Sequence, residues 1–153
     1  DLLRVARQGD LVTEPEPVDL GEVLGVAWEP VETASSDATL VDETAGTIMA
    51  DADRLCELFG NLFRNAVEHA GSDVTVRVGS MANGLYVEDD GPGIPPELRE
   101  EVFDHGVTTA DDGTGYGLSV VRTIANAHGW DVVATVGSAG GARFEFTGVD
   151  SSV

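Results

Sequence analysis

The sequence predicts an α+β domain with a mixed, mostly antiparallel sheet and helices on one face. Three observations lead to this class. Apolar residues recur at helical spacing over about 51 to 70, valines alternate with polar residues from 74 to 78, and a glycine pair at 140 and 141 separates two strand-like runs. Because hairpins and helices follow one another along only 153 residues, we expect a single domain.

Each predicted element has its own local signal. Asp51 or Asp53 can cap the longest helix, which ends near Ala70-Gly71. The turn at Asn83-Gly84 leads from the valine strand into a second strand that ends at Asp89. The other predicted elements are a helix over 20 to 33 capped by Asp19, a hairpin over 38 to 50 with Leu40 and Val41 on one arm and Ile48 and Met49 on the other, a helix over 117 to 128 that ends at Gly129, and a last hairpin over 131 to 136 and 142 to 148.

The charge of the chain is extreme. Its formal net charge is −20, and all eight basic residues are arginine. Such a surface lacks the basic patches that hold nucleic acid or an anionic membrane, so we expect neither partner. Concentrated salt makes this surface tolerable, since the Debye length falls to about 3 Å at 1 M. We interpret the chain as a cytoplasmic protein of a halophilic archaeon; an ordinary acidic domain is the alternative.

The domain organisation follows from breaks in the pattern. Residues 2 to 8 look helical and stop at Gly9, and residues 10 to 19, with two prolines among acids, predict an extended connector. Residues 20 to 150 then form the folded domain. No apolar run approaches the length of about 18 residues that a membrane span needs, and no signal peptide is evident. The start inside a helix-like run suggests a piece of a longer protein.

The long helix carries a polar stripe beside its apolar one. Asn61, Asn65 and His69 are four residues apart and therefore share a face. Asparagine is a mediocre helix former, so this stripe needs a reason. An amide oxygen can bind Mg²⁺, a hard cation that prefers oxygen ligands, and an amide nitrogen can meet a phosphate. The alternative is a solvated polar face.

Asp89 ends a strand on the apolar side. The two-residue period of a strand places it on the face of Leu85 and Val87, where helices should pack. A buried carboxylate needs hydrogen-bond donors, and the exocyclic amine of adenine would be a fitting one. The Gly91-Pro92-Gly93 turn directly after it lets a ligand approach the backbone. The alternative is an exposed acid at a strand end.

A second glycine cluster opens the later helix. Gly113, Gly115 and Gly117 leave backbone N–H groups uncovered where the helix dipole favours a phosphate chain. Residues 97 to 116 then predict a movable lid, with Phe103 anchoring one end on the core. Together with the two motifs above, these are the parts of an ATP pocket.

The remaining polar and aromatic candidates are weaker. His105 and His128 have no carboxylate or cysteine at metal-ligand spacing, so no zinc site is predicted. Trp28 and Trp130 are interpreted as core or rim aromatics.

In combination, these motifs resemble the catalytic, ATP-binding domain of sensor histidine kinases, a member of the GHKL superfamily shared with gyrase, Hsp90 and MutL. The resemblance covers about residues 20 to 148. Its motifs are an N box at residues 61–66 (NLFRNA), a first glycine box at 89–95 (DDGPGIP), an F box at 102–103 (VF), a second glycine box at 113–118 (GTGYGL) and a closing AHG at 127–129.

The resemblance implies a fold and a set of roles. The fold is the two-layer, Bergerat-type sandwich with a flexible ATP lid. Asp89 would hold the adenine amine, Asn65 would bind Mg²⁺ between the phosphates with help from Asn61, and His69 would lie near the sugar or phosphates. The pocket and lid would be completed by Gly91, Gly93, Ile94, Phe103, Gly113, Thr114, Gly115, Gly117 and Leu118.

The implied reaction passes the γ-phosphoryl group of ATP to a histidine, mostly through positioning and charge neutralisation. The acceptor would sit on the protein's own dimerisation domain, whose helix would end in residues 1 to 9, and a response regulator would act downstream. The parent protein could be anchored in a membrane.

Two features depart from that pattern. Family members often carry a lysine where this chain has Glu68, so the phosphate charge must be balanced by Mg²⁺, lid amides or an arginine such as Arg99. The acceptor motif is also absent, because none of the three histidines stands in its sequence setting.

Three rival functions remain open at this level. An ATP-hydrolysing relative would carry a glutamate as base four residues before the metal-binding asparagine, where this chain has Asn61, which cannot take a proton. A serine kinase of the anti-sigma type would have a similar pocket. A nucleotide-binding scaffold would bind ATP without catalysis.

Overall fold

The computed structural model describes residues 15–34, 37–44, 46–103 and 117–149, together with the backbone of residues 151 and 152. The elements in chain order are β1 (Glu16–Asp19), α1 (Leu20–Ala34), β2 (Thr39–Glu43), β3 (Thr47–Ala50), α2 (Ala52–Ala70), β4 (Thr75–Met81), β5 (Gly84–Asp89), two 3₁₀ turns (Pro96–Leu98 and Glu101–Phe103), α3 (Gly117–Ala127), β6 (Asp131–Val136), β7 (Ala142–Thr147) and β8 (Ser151–Ser152).

A five-stranded sheet forms the centre of the fold. Its strands run in the order β2-β4-β5-β7-β6, with β2 parallel to β4 and every other pair antiparallel. Side chains alternate along β7, where Phe144 and Phe146 are buried while Arg143 and Glu145 are only half-buried. α2 packs between α1 and α3, and all three contribute to one core with the sheet. The predicted α+β class with a mixed, mostly antiparallel sheet is confirmed.

The predicted hairpin over 38 to 50 is wrong. β2 lies in the central sheet, parallel to β4 in the register Leu40↔Val76, while β3 pairs with β1 and β8 in a separate three-stranded sheet. The physical reason is that alternation identifies a strand but not its partner. Here α2 crosses over between β2 and β4, which is the connection that parallel strands need.

The last four residues of the predicted connector belong to a sheet. Residues 16 to 19 form β1, antiparallel to β3, and Val18 lies buried opposite Ile48. Pro17 has no N–H to donate but is tolerated, since β1 is an edge strand. Residues 1 to 14, with the predicted helix tail, lie outside the described residues.

α2 begins and ends where the sequence indicates. The Oδ1 atom of Asp51 accepts hydrogen bonds from the backbone N–H groups of Asp53 at 3.0 Å and Arg54 at 3.2 Å. At the other end, Gly71 takes the positive φ of 107° that favours glycine. A fully buried apolar stripe that includes Leu58 fixes the rotation of the helix about its axis. The polar stripe is therefore held at a set angle beside the core.

His128 joins α3 to the start of α2. Its Nε2 accepts the backbone N–H of Asp51 at 3.0 Å, so its Nδ1 carries the proton and donates to the carbonyl of Ile124 at 2.9 Å. Its ring stacks on Trp130, which is buried, at 4.3 Å between centroids. Trp28 is buried as well, so both tryptophans are core residues as interpreted.

Candidate nucleotide site

Asn65 is the unsatisfied polar group of the helix. Its Oδ1 atom is buried and has no hydrogen-bond partner among the described residues. A buried oxygen without a donor costs about 1–3 kcal/mol, and a donor or a cation that reached this oxygen would offset that cost. The stripe on α2 is thus more than a solvated face at this position.

Asn61, one turn earlier, is engaged within its own helix. Its Nδ2 donates to the carbonyl of Glu57 at 2.8 Å, and its Oδ1 accepts from Arg64 at 2.9 Å. Each end of the amide therefore has one partner within α2, although the oxygen and the NH₂ group each keep a second site for hydrogen bonding. The two asparagines therefore differ: the amide of Asn61 is hydrogen-bonded within α2, whereas Oδ1 of Asn65 has no partner among the described residues.

The carboxylate of Asp89 is fixed by the backbone on two sides. The N–H groups of Gly91, at 3.0 Å, and Ala142, at 3.1 Å, both donate to Oδ1. Within the described residues, Oδ2 is thus the oxygen that a ligand's donor can use. Burial raises the pKa of Asp89 above its ordinary value, an effect that the two backbone donors partly offset. The predicted inward orientation of Asp89 agrees with this burial.

The polar stripe of α2 and the glycine turn after β5 meet at the C-terminal end of α2. A side chain at Gly91 would collide with Ala70, so only glycine allows the turn after β5 to lie against the helix. His69, the next residue back, is close enough for its charge to lower the pKa of Asp89, against the dominant effect of burial. His69 and Asp89, which are separated by 20 positions in the sequence, thus belong to one site.

The predicted turn between β6 and β7, residues 137 to 141, is present, and it supports Asp89 through contacts that the sequence did not predict. Gly141 packs directly on Asp89, where any side chain would overlap the carboxylate and the main chain. A Cβ on Gly93, which has a φ of 83°, would lie 2.7 Å from the carbonyl oxygen of Gly140. The glycine pair gave a signal for a turn, but no local pattern could reveal its contact with residues 50 positions earlier.

The segment after the first glycine box is anchored on the core. Ile94 packs partly buried against the core, and its carbonyl accepts from Nε of Arg99 at 3.1 Å. Phe103 is buried, meets Phe144 edge-on at 6.0 Å between ring centroids, and lies under the guanidinium of Arg122. Phe103 packs on the core as predicted, whereas Arg99, suggested as a phosphate partner, here donates to the main chain.

The second glycine box is only partly described. Gly117 is the first residue of α3, and Leu118 packs partly buried against the core. Gly113, Thr114 and Gly115 lie outside the described residues, as does the part of the predicted lid from 104 to 116.

Among the residues that the structure describes, no group of three or more histidine, cysteine or acidic side chains could hold a metal ion. None of the described helices combines the length and apolar character needed to cross a bilayer.

The fold and the site define a class of protein. A mixed sheet is covered by three helices, and the helix that carries the two asparagines lies beside a strand that ends in aspartate and leads into a glycine turn. This is the arrangement of a histidine kinase ATP-binding domain. Residues 50–150, more than half of the chain, match the family described as histidine kinase-, DNA gyrase B-, and HSP90-like ATPase. The chain belongs to this family.

The curated relatives of the chain are named as histidine kinases. The chain is 35% identical over 156 residues to the sensor histidine kinase ZraS of Klebsiella oxytoca, covering 95% of this chain and 33% of that protein. It is 34% identical over 139 residues to the signal transduction histidine-protein kinase/phosphatase MprB of Mycolicibacterium smegmatis, covering 84% of this chain and 28% of that protein. The chain therefore spans a third or less of these curated relatives.

Solved structures give the same result for the fold. The mycobacterial sensor histidine kinase MprB superposes with a TM-score of 0.79 at 25% identity, covering 91% of this chain and 99% of that one. The nucleotide-free catalytic domain of the histidine kinase ThkA gives a TM-score of 0.76 at 28% identity, covering 91% and 96%.

Proposed function

We propose that this chain is the ATP-binding catalytic domain of a two-component sensor histidine kinase, which presents the γ-phosphate of ATP to a histidine on a separate dimerisation domain. One observation carries the proposal. The Asp89 carboxylate is fixed through Oδ1 by two backbone N–H groups, and its other oxygen is left for the amine of a purine.

Asn65 supports a phosphate site next to the base. Its partnerless, buried Oδ1 fits a hard cation, and Mg²⁺ is the cation that usually accompanies nucleotide phosphates. When bound, Mg²⁺ would supply the charge neutralisation that phosphoryl transfer needs. Glu68, which replaces the family's frequent lysine, is exposed, so its negative charge is largely screened by solvent.

The residues of this chain would act by binding and orientation. Asp89 would orient the base, the Gly91 and Gly93 turns would allow close approach, and the N-terminal end of α3 would face the phosphates. His128 cannot serve as the acceptor, because both of its ring nitrogens are engaged in the fold. The acceptor of the proposed reaction would be a histidine of the dimerisation domain.

Transfer to histidine is favoured over hydrolysis. The position of the water-activating glutamate in ATP-hydrolysing relatives is occupied by Asn61, whose amide is hydrogen-bonded at both ends. An amide cannot take a proton from water. An acceptor histidine brings its own nucleophile and needs no such base.

The wider setting is part of the proposal. The relatives are named as a sensor histidine kinase and a signal transduction histidine-protein kinase/phosphatase, which supports a dimerisation domain of the same protein and a response regulator as the partners. We place the domain in the cytoplasm of a halophilic organism, since −20 charges would otherwise repel ATP.

The test combines this chain with its dimerisation domain and γ-labelled ATP. The proposal expects label on histidine that is lost in acid and stable in base, and Asp89→Asn is the matched negative control. Release of free phosphate without labelled protein would indicate a hydrolase. Tight ATP binding with neither product would indicate a scaffold.

A further inference from the structure

Glu88 is a buried acid that the proposed reaction does not use. It precedes Asp89 on β5 and points to the opposite face of the sheet, away from the helices, yet it is only 6% exposed. Adjacent carboxylates on opposite faces would usually have separate surroundings. Here both contact the same turn, residues 137–141.

Glu88 holds this turn from the outer face. One carboxylate oxygen accepts from the hydroxyl of Ser138 at 2.9 Å, and the other accepts from Nη1 of Arg143 at 3.0 Å. Gly137 lies against the same side chain, where a Cβ would be 3.2 Å from Oε1. Arg143 is in turn fixed, because its guanidinium lies 4.0 Å from the ring centroid of Tyr86. Glu88 thus fixes both the tip and the exit of the turn.

The same turn fixes Asp89 from the inner side. Internal hydrogen bonds keep it rigid, with Gly137 N donating to Gly141 O at 2.8 Å and Gly140 N donating to Gly137 O at 3.0 Å. Gly141 packs on the Asp89 carboxylate, and the N–H of Ala142 donates to its Oδ1. A displacement of the turn would remove the Ala142 donor and the packing of Gly141. Oδ1 would then keep only the Gly91 donor of its two backbone partners, and the carboxylate would be held less firmly.

We propose that Glu88 is a positioning residue for adenine recognition, acting through Ser138, Arg143 and the 137–141 turn to fix the rotamer of Asp89. The inference rests on the proposed function, since it assumes that Asp89 receives the amine of adenine. Because the link passes through the turn, losing Glu88 should affect the amine contact more than the binding of the phosphates.

The test compares ATP with purine riboside triphosphate, which lacks the 6-amino group. The ratio of their Kd values, measured by calorimetry with Mg²⁺, isolates the amine contact from the rest of the nucleotide. For the unmodified chain we expect ATP to bind about tenfold or more tightly, the value of one charge-assisted hydrogen bond. Glu88→Ala should bring the ratio close to one, and Glu88→Gln, which still offers an oxygen to Ser138, should restore part of it.

Two further variants keep the result interpretable. Glu145→Ala removes the other carboxylate partner of Arg143, at 2.7 Å, without touching the turn, and should leave the ratio unchanged. Ser138→Ala removes one exposed hydroxyl and should lower the ratio of the Kd values partially. If Glu88→Ala does not fold, the ratio of Ser138→Ala tests the positioning role instead.

The outcomes separate this inference from the function beneath it. A folded Glu88→Ala with the unmodified ratio, or an equal loss in Glu145→Ala, overturns the positioning role while the adenine contact stands. If the unmodified chain itself does not prefer ATP, then the Asp89 contact is wrong and the inference fails with it.

Discussion

Asp89→Asn changes one atom of the site and keeps its backbone contacts. The amide oxygen of asparagine can replace Oδ1 and still accept from Gly91 and Ala142, so the local fold should persist. The atom facing the ligand then becomes an NH₂ donor that opposes the donor of adenine. Loss of one charge-assisted hydrogen bond costs about 1.5–3 kcal/mol, which corresponds to roughly 10- to 100-fold weaker ATP binding.

The same substitution should not destabilise the empty protein. Burial raises the pKa of Asp89, so the folded state binds its proton more tightly than the unfolded state does. The stability of the folded state therefore falls as pH rises from the ordinary aspartate pKa through this raised value. At neutral pH the ionised carboxylate lowers the stability of the folded state. Asp89→Asn should match or exceed the thermal stability of the unmodified chain at pH 7, and the difference should close on acidification.

Two assays check this prediction together. Calorimetric titration with ATP and Mg²⁺ gives the affinity, and thermal melts from pH 3 to pH 8 give the stability. Unchanged affinity would remove Asp89 from the pocket. Weak binding accompanied by a large drop in melting temperature at pH 7 would show that the carboxylate is needed for folding instead.

Three further predictions concern Asn65, His128 and the net charge of the chain. Asn65→Ala should abolish the Mg²⁺ dependence of ATP binding, and titrations with and without EDTA that still differ would place the cation elsewhere. His128→Ala should lower the free energy of unfolding by about 1–3 kcal/mol in denaturant titrations, since it removes the hydrogen bond from the N–H of Asp51 to the ring, whereas exposed Asn126→Ala should change little. Circular dichroism should show loss of structure as salt falls from about 1 M to about 0.1 M, where charge repulsion extends over about 10 Å; a fully folded chain in dilute buffer would refute the halophilic interpretation.

Local signals in the sequence were enough for most elements. The caps of α1 and α2 were predicted because side chains of Asp19 and Asp51 reach donors within a few residues, and both bonds are present. The hairpins of β4 with β5 and of β6 with β7 were predicted for the same reason. The partners of β2 and β3 were not, because a short alternating run fits several neighbours and only the whole sheet selects among them.

In the candidate site, too, local signals predicted some residues and could not predict others. Asp89 and Asn65 could be proposed from spacing and residue type, since each lies on an element whose face is set by its own apolar neighbours. The support from Ala142 and Glu88 could not be, because it depends on β7 lying beside β5 in the sheet. The role of His128 was missed since its partners are backbone groups, which leave no mark in the sequence.

A structure of this chain with ATP and Mg²⁺ bound tests the central claim most directly. The account predicts that the adenine amine lies within hydrogen-bond distance of Asp89 Oδ2 and that the cation contacts Oδ1 of Asn65. An empty cleft under saturating nucleotide, or an Asp89 side chain turned toward bulk water, would contradict it.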